Sequence, residues 1–589
     1  MKQELEAAVR AAVKELWDLD VAIDLTRPDA QFGDFATNTA LQLAKQLGKN
    51  PREIGETLAE KLRSDARFAH VEVAGPGFIN LTLTDEVLRL GIATQPPKSL
   101  TGQIVLVEYS DPNPFKPLHA GHLYTTLVGD TIARLVERAG AETTRLNFGG
   151  DVGLHVGKSM WAIIRHFDGE YPEKLSEIPE AERAKWMGER YVEGTAAYED
   201  DEVAKREIIE ANKRVYALHE QNDHDSPFAQ IYWTCREWSY AYFKTLYDQL
   251  QVVPFTRFIP ESEVTPLGVQ TVREQTEKGV FSESDGAIVY RGDETEGLHT
   301  RVFINSEGIP TYETKDVGLS LTKWRDYHFD KSIIITANEQ EQYMRVVLAA
   351  IAEFEPEPSA RTHHITHGMV KLEGGKKMSS RKGNIITALE ILEAAREAAR
   401  QSQVNTTEEN MLSAVKYAFA KARIGGDIVY NPTESIALEG NSGPYLQYAH
   451  ARARSILGKA QNATPARSAG ASEERAGESG MMTSEATSSP EEGRVPLDQK
   501  MKELLPDERL LTRKLTEYPE VIEKATAELM PHHICTYLYE LAQEFNRFYE
   551  KNRVIGDERE ALRLDLIRSY ADTLKDGLNL LGIHAPERM

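Results

Sequence analysis

Two short segments of this chain carry residue types suited to gripping a polyphosphate. The first is His119-Ala120-Gly121-His122, which follows an apolar run and a turn rich in Pro and Asn. A helix beginning there would offer unsatisfied backbone N–H groups and the positive end of its dipole, both attractive to phosphate oxygens. Gly121 has no side chain to keep a nucleotide base away from the backbone. His119 and His122, three residues apart, fall on one helical face and can donate hydrogen bonds to phosphate. The second segment is Lys376-Lys377-Met378-Ser379-Ser380-Arg381-Lys382-Gly383-Asn384, preceded by Gly374-Gly375. Residues 371–382 hold five positive charges and one negative. A cationic loop flanked by glycine can close over a triphosphate and neutralise the charge that builds as pyrophosphate leaves. Alone, the first segment would also suit a helix cap and the second a solvated surface run. Their pairing in one chain favours nucleotide chemistry.

Such loops need a rigid frame. Ile104-Val105-Leu106-Val107-Glu108 is a β-branched run of the kind found in buried parallel strands, and 143–148 and 333–337 read likewise. Each is followed by sequence of helical pattern, and that alternation predicts a doubly wound, Rossmann-like α/β domain with a parallel sheet over residues 100–388. A charge-mixed helical stretch at 159–251 reads as an insertion into it. Residues 1–95 read as a small α+β domain, closed by the alternating Phe78-Ile79-Asn80-Leu81-Thr82-Leu83. Beyond 388 the pattern is helical. Residues 389–459 form a stem, and 497–589 an all-α bundle. Between Ala460 and Arg494 there is no Val, Ile, Leu, Phe, Trp or Tyr, so 460–496 is expected to be a disordered loop.

The pair HAGH and KMSSRKGN resembles the two signature motifs of class I aminoacyl-tRNA synthetases, and within that class the arginyl type is most similar. The segments that carry the resemblance are Glu108-Tyr109-Ser110-Asp111-Pro112-Asn113 through His122, Gly150-Asp151-Val152-Gly153, Tyr312-Glu313-Thr314-Lys315-Asp316, and Asn441-Ser442-Gly443-Pro444-Tyr445-Leu446-Gln447-Tyr448-Ala449-His450-Ala451-Arg452. Gly33-Asp34-Phe35-Ala36-Thr37-Asn38 resembles the tRNA-contacting N-terminal domain of that family, and the C-terminal helices resemble its anticodon-binding bundle. The resemblance implies that L-arginine is joined to tRNA(Arg) through an arginyl-adenylate, with ATP consumed and AMP and diphosphate released. ATP would be held by His119, Gly121, His122 and Lys377-Met378-Ser379-Ser380-Arg381-Lys382. Asn113 and His119 would hold the amino-acid backbone, and Gln340, Tyr109 and Ser110 would line the pocket.

The chemistry of a guanidinium agrees with this. It is planar, permanently charged and rich in donors, so its pocket needs carboxylates and fixed acceptors. Glu108 and Asp316 are candidates, with Tyr312 one turn from Asp316 on the same helical face. Two positions depart from the family pattern. Ser380 stands where the second motif carries its second lysine, so Arg381 or Lys382 supplies the charge, or Lys116 does; Lys377 and Lys116 are the expected catalytic pair beside the two histidines. Val152 replaces the usual Trp after Gly-Asp.

Bulk properties limit the alternatives. The net charge of −23 neither supports nor excludes RNA, because residues 500–589 are nearly balanced, with 14 Lys and Arg against 17 Asp and Glu. Cys235 and Cys535 are too few for a disulfide framework or a thiolate zinc site. No apolar run approaches the roughly 18–20 residues that span a bilayer, and the acidic N-terminus lacks the features of a secretory leader. A cytoplasmic monomer is expected, without zinc or membrane partner and with Mg²⁺ arriving on ATP. Alternative readings are another class I synthetase, such as the class I lysyl type, a small-molecule nucleotidylyltransferase, or a non-catalytic RNA-binding relative. The last would be expected to have lost His119, His122 or Lys377, and all three are present.

Overall fold

The computed structural model describes residues 1–373, 386–402, 407–469 and 503–589, without the side chains of 463–469. At the N-terminus, strands β1 (Phe35–Thr37), β2 (Phe68–Ala74) and β3 (Phe78–Leu83) form an antiparallel sheet with β3 in the middle. Helices Lys2–Trp17, Thr39–Leu47 and Pro51–Leu62 pack with it. Alternation on β3 buries Ile79, Leu81 and Leu83, as a half-buried strand requires.

The next domain contains β4 (Ile104–Glu108), β5 (Glu142–Gly149) and β6 (Arg257–Pro260). A small antiparallel sheet of β7 (Ser282–Ser284), β8 (Ala287–Tyr290) and β9 (Arg301–Ile304) follows, then β10 (Lys331–Ala337) and β11 (Thr362–His367). The central sheet runs β11-β10-β4-β5-β6, parallel throughout. Both faces are covered at the centre of the sheet, which is why 104–107 of β4 and 333–335 of β10 read as unbroken apolar runs. Val105, Val107, Ile333 and Ile335 pack on the side of the helix Ala120–Arg138, whereas Leu106 and Leu146 pack against Val264, Leu319 and Phe329. After β4 the chain builds outward through β5 and β6, then returns to build the other way through β10 and β11. The order therefore reverses between β4 and β10, where ligands bind at the carboxyl ends of such sheets. Helices Leu154–Phe167, Arg183–Asp200, Glu202–Glu220 and Pro227–Leu250 fill the connection from β5 to β6.

Helices Ala388–Gln401 and Glu408–Ala420 form the stem. It is interrupted by a short strand that the helical pattern did not foretell, β13 (Ile428–Tyr430), paired in parallel with β12 (Val370–Leu372). The C-terminal bundle comprises Gly443–Ala469, Pro506–Thr516, Tyr518–Glu528, His532–Lys551 and Glu560–Leu580 around one apolar core. Disorder was expected from 460, but helix continues to Ala469. A helix already packed through Ile456, Leu457 and Ala460 needs no new nucleus to extend, so it can run past its last packed residue even through poor helix formers such as Asn462, Thr464 and Pro465. The rest of the expected loop lies outside the described residues.

The N-terminal domain docks on the C-terminal bundle through charge. Arg509 spans Asp34, at 2.5 Å, and Asp85, whose second oxygen accepts the Leu504 N–H at 2.8 Å. Arg27 reaches Glu520 at 2.7 Å, and Arg513 donates to the Pro28 carbonyl. Asp34, in the Gly-Asp-Phe segment, is buried and also accepts the Leu83 N–H. Arg509→Ala would strip a buried carboxylate of its main partner, at a cost of about 1–3 kcal/mol. The expected result is a lower first thermal transition and faster proteolysis between residues 92 and 103. Unchanged melting and cleavage would show that the clamp carries no load.

Candidate active site

The turn between β4 and its helix is built from unusual backbone. Ser110, Asp111 and Phe115 all adopt positive φ (75°, 47° and 66°), a conformation costly for non-glycine residues and concentrated at functional sites. It delivers the chain to His119, the N-cap of the helix Ala120–Arg138. The two histidines cap each other: Nδ1 of His119 accepts the His122 N–H, and Nδ1 of His122 accepts the His119 N–H, both at 3.3 Å. Their rings stack with centroids 3.6 Å apart. With both Nδ1 atoms accepting, each neutral ring carries its proton on Nε2 and can donate from there. Burial, followed by the neighbouring charge of Lys116, brings His119 down to about 4; burial, with His119 and Lys116 adding to it, holds His122 well below the usual imidazole range. Both are therefore neutral donors at neutral pH. The Gly121 N–H, at the second helical position, has no carbonyl of the same helix to bond. A Cβ on Gly121 would lie 3.0 Å from the His119 ring, so glycine also protects the stack.

Residues 118–120 are stitched to residues 386–388. The Ala120 N–H donates to the Ile386 carbonyl at 2.8 Å, and the Ala388 N–H donates to the Leu118 carbonyl at 2.9 Å. Lys377, Met378, Ser379, Ser380, Arg381 and Lys382 lie outside the described residues; description resumes at Ile386, which is bonded to the start of HAGH. Lys116 sits in the same turn, half-buried, with Nζ 5.1 Å from the centre of the Tyr191 ring, a residue of the helical insertion.

The acidic side of the site is at the end of β4. Glu108 is buried and paired at 2.8 Å with Lys323, also buried. Lys323 lies seven residues beyond Asp316 in the helix Tyr312–Tyr327, and therefore on the same face. Asp111 accepts the Phe148 N–H at 2.8 Å. Asp316 is half-buried, and among the described residues no hydrogen bond or ion pair reaches its carboxylate. Burial first, and then the neighbouring charge of Glu108, push both Asp111 and Asp316 well above the usual carboxylate range. Three carboxylates thus surround one resident ammonium.

Asn113 accepts the Gly150 N–H at 3.0 Å, and a Cβ on Gly150 would collide with the Asn113 Oδ1 and approach Glu261. Glu261 pairs at 2.5 Å with Lys315, whose ammonium is 5.0 Å from the centre of the exposed Tyr312 ring. Gln340 is exposed in the turn Asn338–Gln340 just past β10. Asp151 fastens these loops together, accepting from Ser262 at 2.7 and 2.9 Å and from Arg236 at 3.0 Å.

Two expected pocket residues do not present their side chains. Tyr109 is enclosed, its ring lying where a Cβ on Gly129 would come within 2.2 Å and packing 4.7 Å from Phe255. Ser110 is likewise interior, hydrogen-bonded to Thr126 at 2.7 Å and Tyr247 at 2.8 Å. Side-chain alternation after β4 and the left-handed turn direct both inward. Asp111, Glu261, Lys315 and Lys323 were not anticipated. Helical spacing from Asp316 could have pointed to Lys323; nothing local marks Glu261.

The family model for the catalytic domain of tRNA synthetases class I (R) matches residues 86–431, more than half of the chain. The chain belongs to that family. The model of the arginyl tRNA synthetase N-terminal domain matches residues 1–83, and that of the DALR anticodon binding domain matches 446–589. Curated relatives include the arginine–tRNA ligases of Phocaeicola vulgatus, 28% identical with both chains fully covered, and of Porphyromonas gingivalis, 29% identical over all of this chain and 99% of that one. Among solved structures, the arginyl-tRNA synthetase of Thermus thermophilus superposes with a TM-score of 0.76 at 25% identity, with both chains fully covered. That of Plasmodium falciparum has the same fold, with a TM-score of 0.74 at 20% identity over all of this chain and 99% of that one. In this synthetase the bundle also presents a groove of about 860 Å³ bordered by Tyr448, Arg452, Lys459, Tyr549, Arg568 and Arg588. It is a basic, aromatic surface on an otherwise acidic chain, suited to stacking and phosphate contact.

Proposed function

We infer that the protein ligates L-arginine to tRNA in an ATP-dependent reaction. Beyond family membership, the observation that carries the reading is Asp316: a carboxylate without a partner among the described residues, beside Glu108 and Asp111, at the strand-order reversal. Such a group is costly to bury unless a cation completes it, and the family's substrate is a cation. In the first step the carboxylate of arginine attacks the α-phosphorus of ATP, forming the adenylate and releasing diphosphate. In the second, a terminal ribose hydroxyl of tRNA, the 2′-OH in this class, attacks the activated carbonyl and AMP leaves. The protein positions and neutralises, and forms no covalent bond of its own. We assign Asp316, Tyr312 and Glu108 to the guanidinium end, with Gln340 at the rim. Asn113 and His119 take the amino-acid backbone. The helix start at Gly121, with His122 and Lys116 and with the segment Lys377–Lys382, takes the triphosphate. Mg²⁺ would arrive with ATP and neutralise part of the triphosphate charge. The tRNA is tRNA(Arg), its anticodon end meeting the Tyr448–Arg452 groove. The enzyme acts as a monomer, and in the cytoplasm, where tRNA is used. The class I lysyl and non-catalytic readings are not favoured by an arginine-type match along the whole chain.

The direct test is charging of total tRNA with each of the twenty amino acids. Arginine alone should be attached. Attachment of lysine instead would overturn the assignment.

The pH dependence of arginine binding has a definite sign. Asp316 and Asp111 hold their protons to higher pH than an ordinary carboxyl in the empty pocket. A bound guanidinium favours their ionised forms, so binding releases protons. The arginine KM should fall as pH rises through the free-pocket range and then level off, by up to about tenfold per pH unit for each proton released. The KM of ATP, measured in parallel, should not follow. A flat arginine profile would remove these carboxyls from the pocket.

A further inference from the structure

The pocket already contains a cation before any substrate arrives. Lys323 places its ammonium 2.8 Å from Glu108, both side chains almost wholly buried. Among the described residues, the pair acts on Asp111 from the turn after β4 and on Asp316 from the helix that bears Lys323, and Asp316 also feels Glu313 of that helix and Glu261, which is paired with Lys315. Glu261 is satisfied by Lys315, and Glu313 by Arg301 at 3.2 Å. That leaves Glu108, Asp111 and Asp316 to share one ammonium and one incoming guanidinium. We propose that Lys323 is a positioning residue that sets the charge of the arginine pocket: its ion pair with Glu108 fixes how many carboxyls must give up a proton when the substrate binds. This rests on the assignment of the acidic cleft to arginine and adds to it a role for a side chain that need not touch substrate.

The consequence is a change in proton count. With Lys323 present, Glu108 is already paired, and only Asp111 and Asp316 are free to take up protons in the empty pocket. Without the ammonium, an interior carboxylate is left unpaired, and the interior answers by protonating it. Arginine binding to Lys323→Met must then expel about one proton more than binding to the wild type. A Lys323 that merely filled space would leave the proton count alone.

The test is the slope of log KM for arginine against pH, measured by aminoacylation with tRNA present. Lys323→Met should steepen the slope by about one further tenfold change per pH unit, and Lys323→Arg should keep the wild-type slope. Glu108→Gln/Lys323→Met, in which neither charge remains, should also return to the wild-type slope. If Lys323→Met does not fold, Glu108→Gln gives an independent reading. Its unopposed ammonium then faces Asp111 and Asp316, suppresses their protonation, and flattens the slope below wild type. A Lys323→Met slope parallel to wild type, or a Glu108→Gln slope unchanged from it, overturns the proposal. Failure of the arginine assignment itself looks different: the wild-type enzyme would not charge tRNA with arginine at any pH.

Discussion

Asp316→Ala is expected to raise the arginine KM by about 10²–10³-fold while the ATP KM moves by no more than about threefold. The expectation follows from what surrounds the carboxylate. Hydrogen bonds to charged groups are worth about 1.5–3 kcal/mol, and breaking a buried charge pair by removing one member costs about 3–5 kcal/mol. A guanidinium in this cleft would lose a carboxylate that has no competing partner among the described residues, whereas Glu108 is tied to Lys323 and Asp111 accepts the Phe148 N–H. The nucleotide is assigned to the other side of the β4 turn, at the helix start held by His119 and by Ile386–Ala388, so its binding should be nearly untouched. Asp316→Asn separates charge from shape. It keeps an acceptor oxygen of the same reach but no charge, and should fall between wild type and alanine. Steady-state kinetics with each substrate varied in turn reads all three. Equal damage to both KM values would mean that Asp316 supports the fold of the helix rather than the substrate.

How much of this site could be read from sequence depended on whether a residue's role is local or long-range. The HAGH helix start was legible because capping and dipole are properties of consecutive residues, and the β-branched run before it fixed β4. The Tyr312–Asp316 pair was legible from the 3.6-residue period. Glu108 was legible as an acid at a strand end, but not its state: Lys323 lies far along the chain, and only the packing of the helix Tyr312–Tyr327 over β4 and β10 joins them. Tyr109 and Ser110 misled because the motif that carries the family likeness mixes pocket residues with core residues. The left-handed backbone at Ser110 and Asp111 decides which is which, and a polar serine gives no hint of that. Asp34 belongs to the same class. Its segment is legible as a mark of the N-terminal domain, but not the partner of its carboxylate, which is Arg509 of the C-terminal bundle. At 460–469 the lack of large apolar residues pointed to disorder, but composition says nothing about whether an existing helix stops, and this one continues to Ala469.

His122→Ala should lower the rate constant of adenylate formation by about 10²–10³-fold. The accompanying loss of the reciprocal cap costs only about 1 kcal/mol of stability. Phosphate charge grows on the non-bridging and leaving oxygens as the α-phosphorus is attacked, so a donor aimed there is worth more in the transition state than in the Michaelis complex. Removing it should therefore appear in kcat of pyrophosphate exchange more than in the KM of ATP. The structure adds a sharper requirement. Both imidazoles are neutral, with Nδ1 committed to backbone N–H groups and the proton left on Nε2. They donate without titrating, so with saturating arginine the wild-type kcat should show no acid limb from His119 or His122 above about pH 5. Any acid limb in the arginine kcat/KM then belongs to the carboxyls of the pocket. His122→Gln places a non-titrating N–H donor at about the reach of the imidazole Nε2 and should recover part of the lost rate at every pH alike. A rate loss in His122→Ala that deepened with acidity would instead require a charged imidazole. Burial beside Lys116 makes that the less stable form, because the same ammonium that would assist the departing diphosphate repels a second positive charge from the histidine pair.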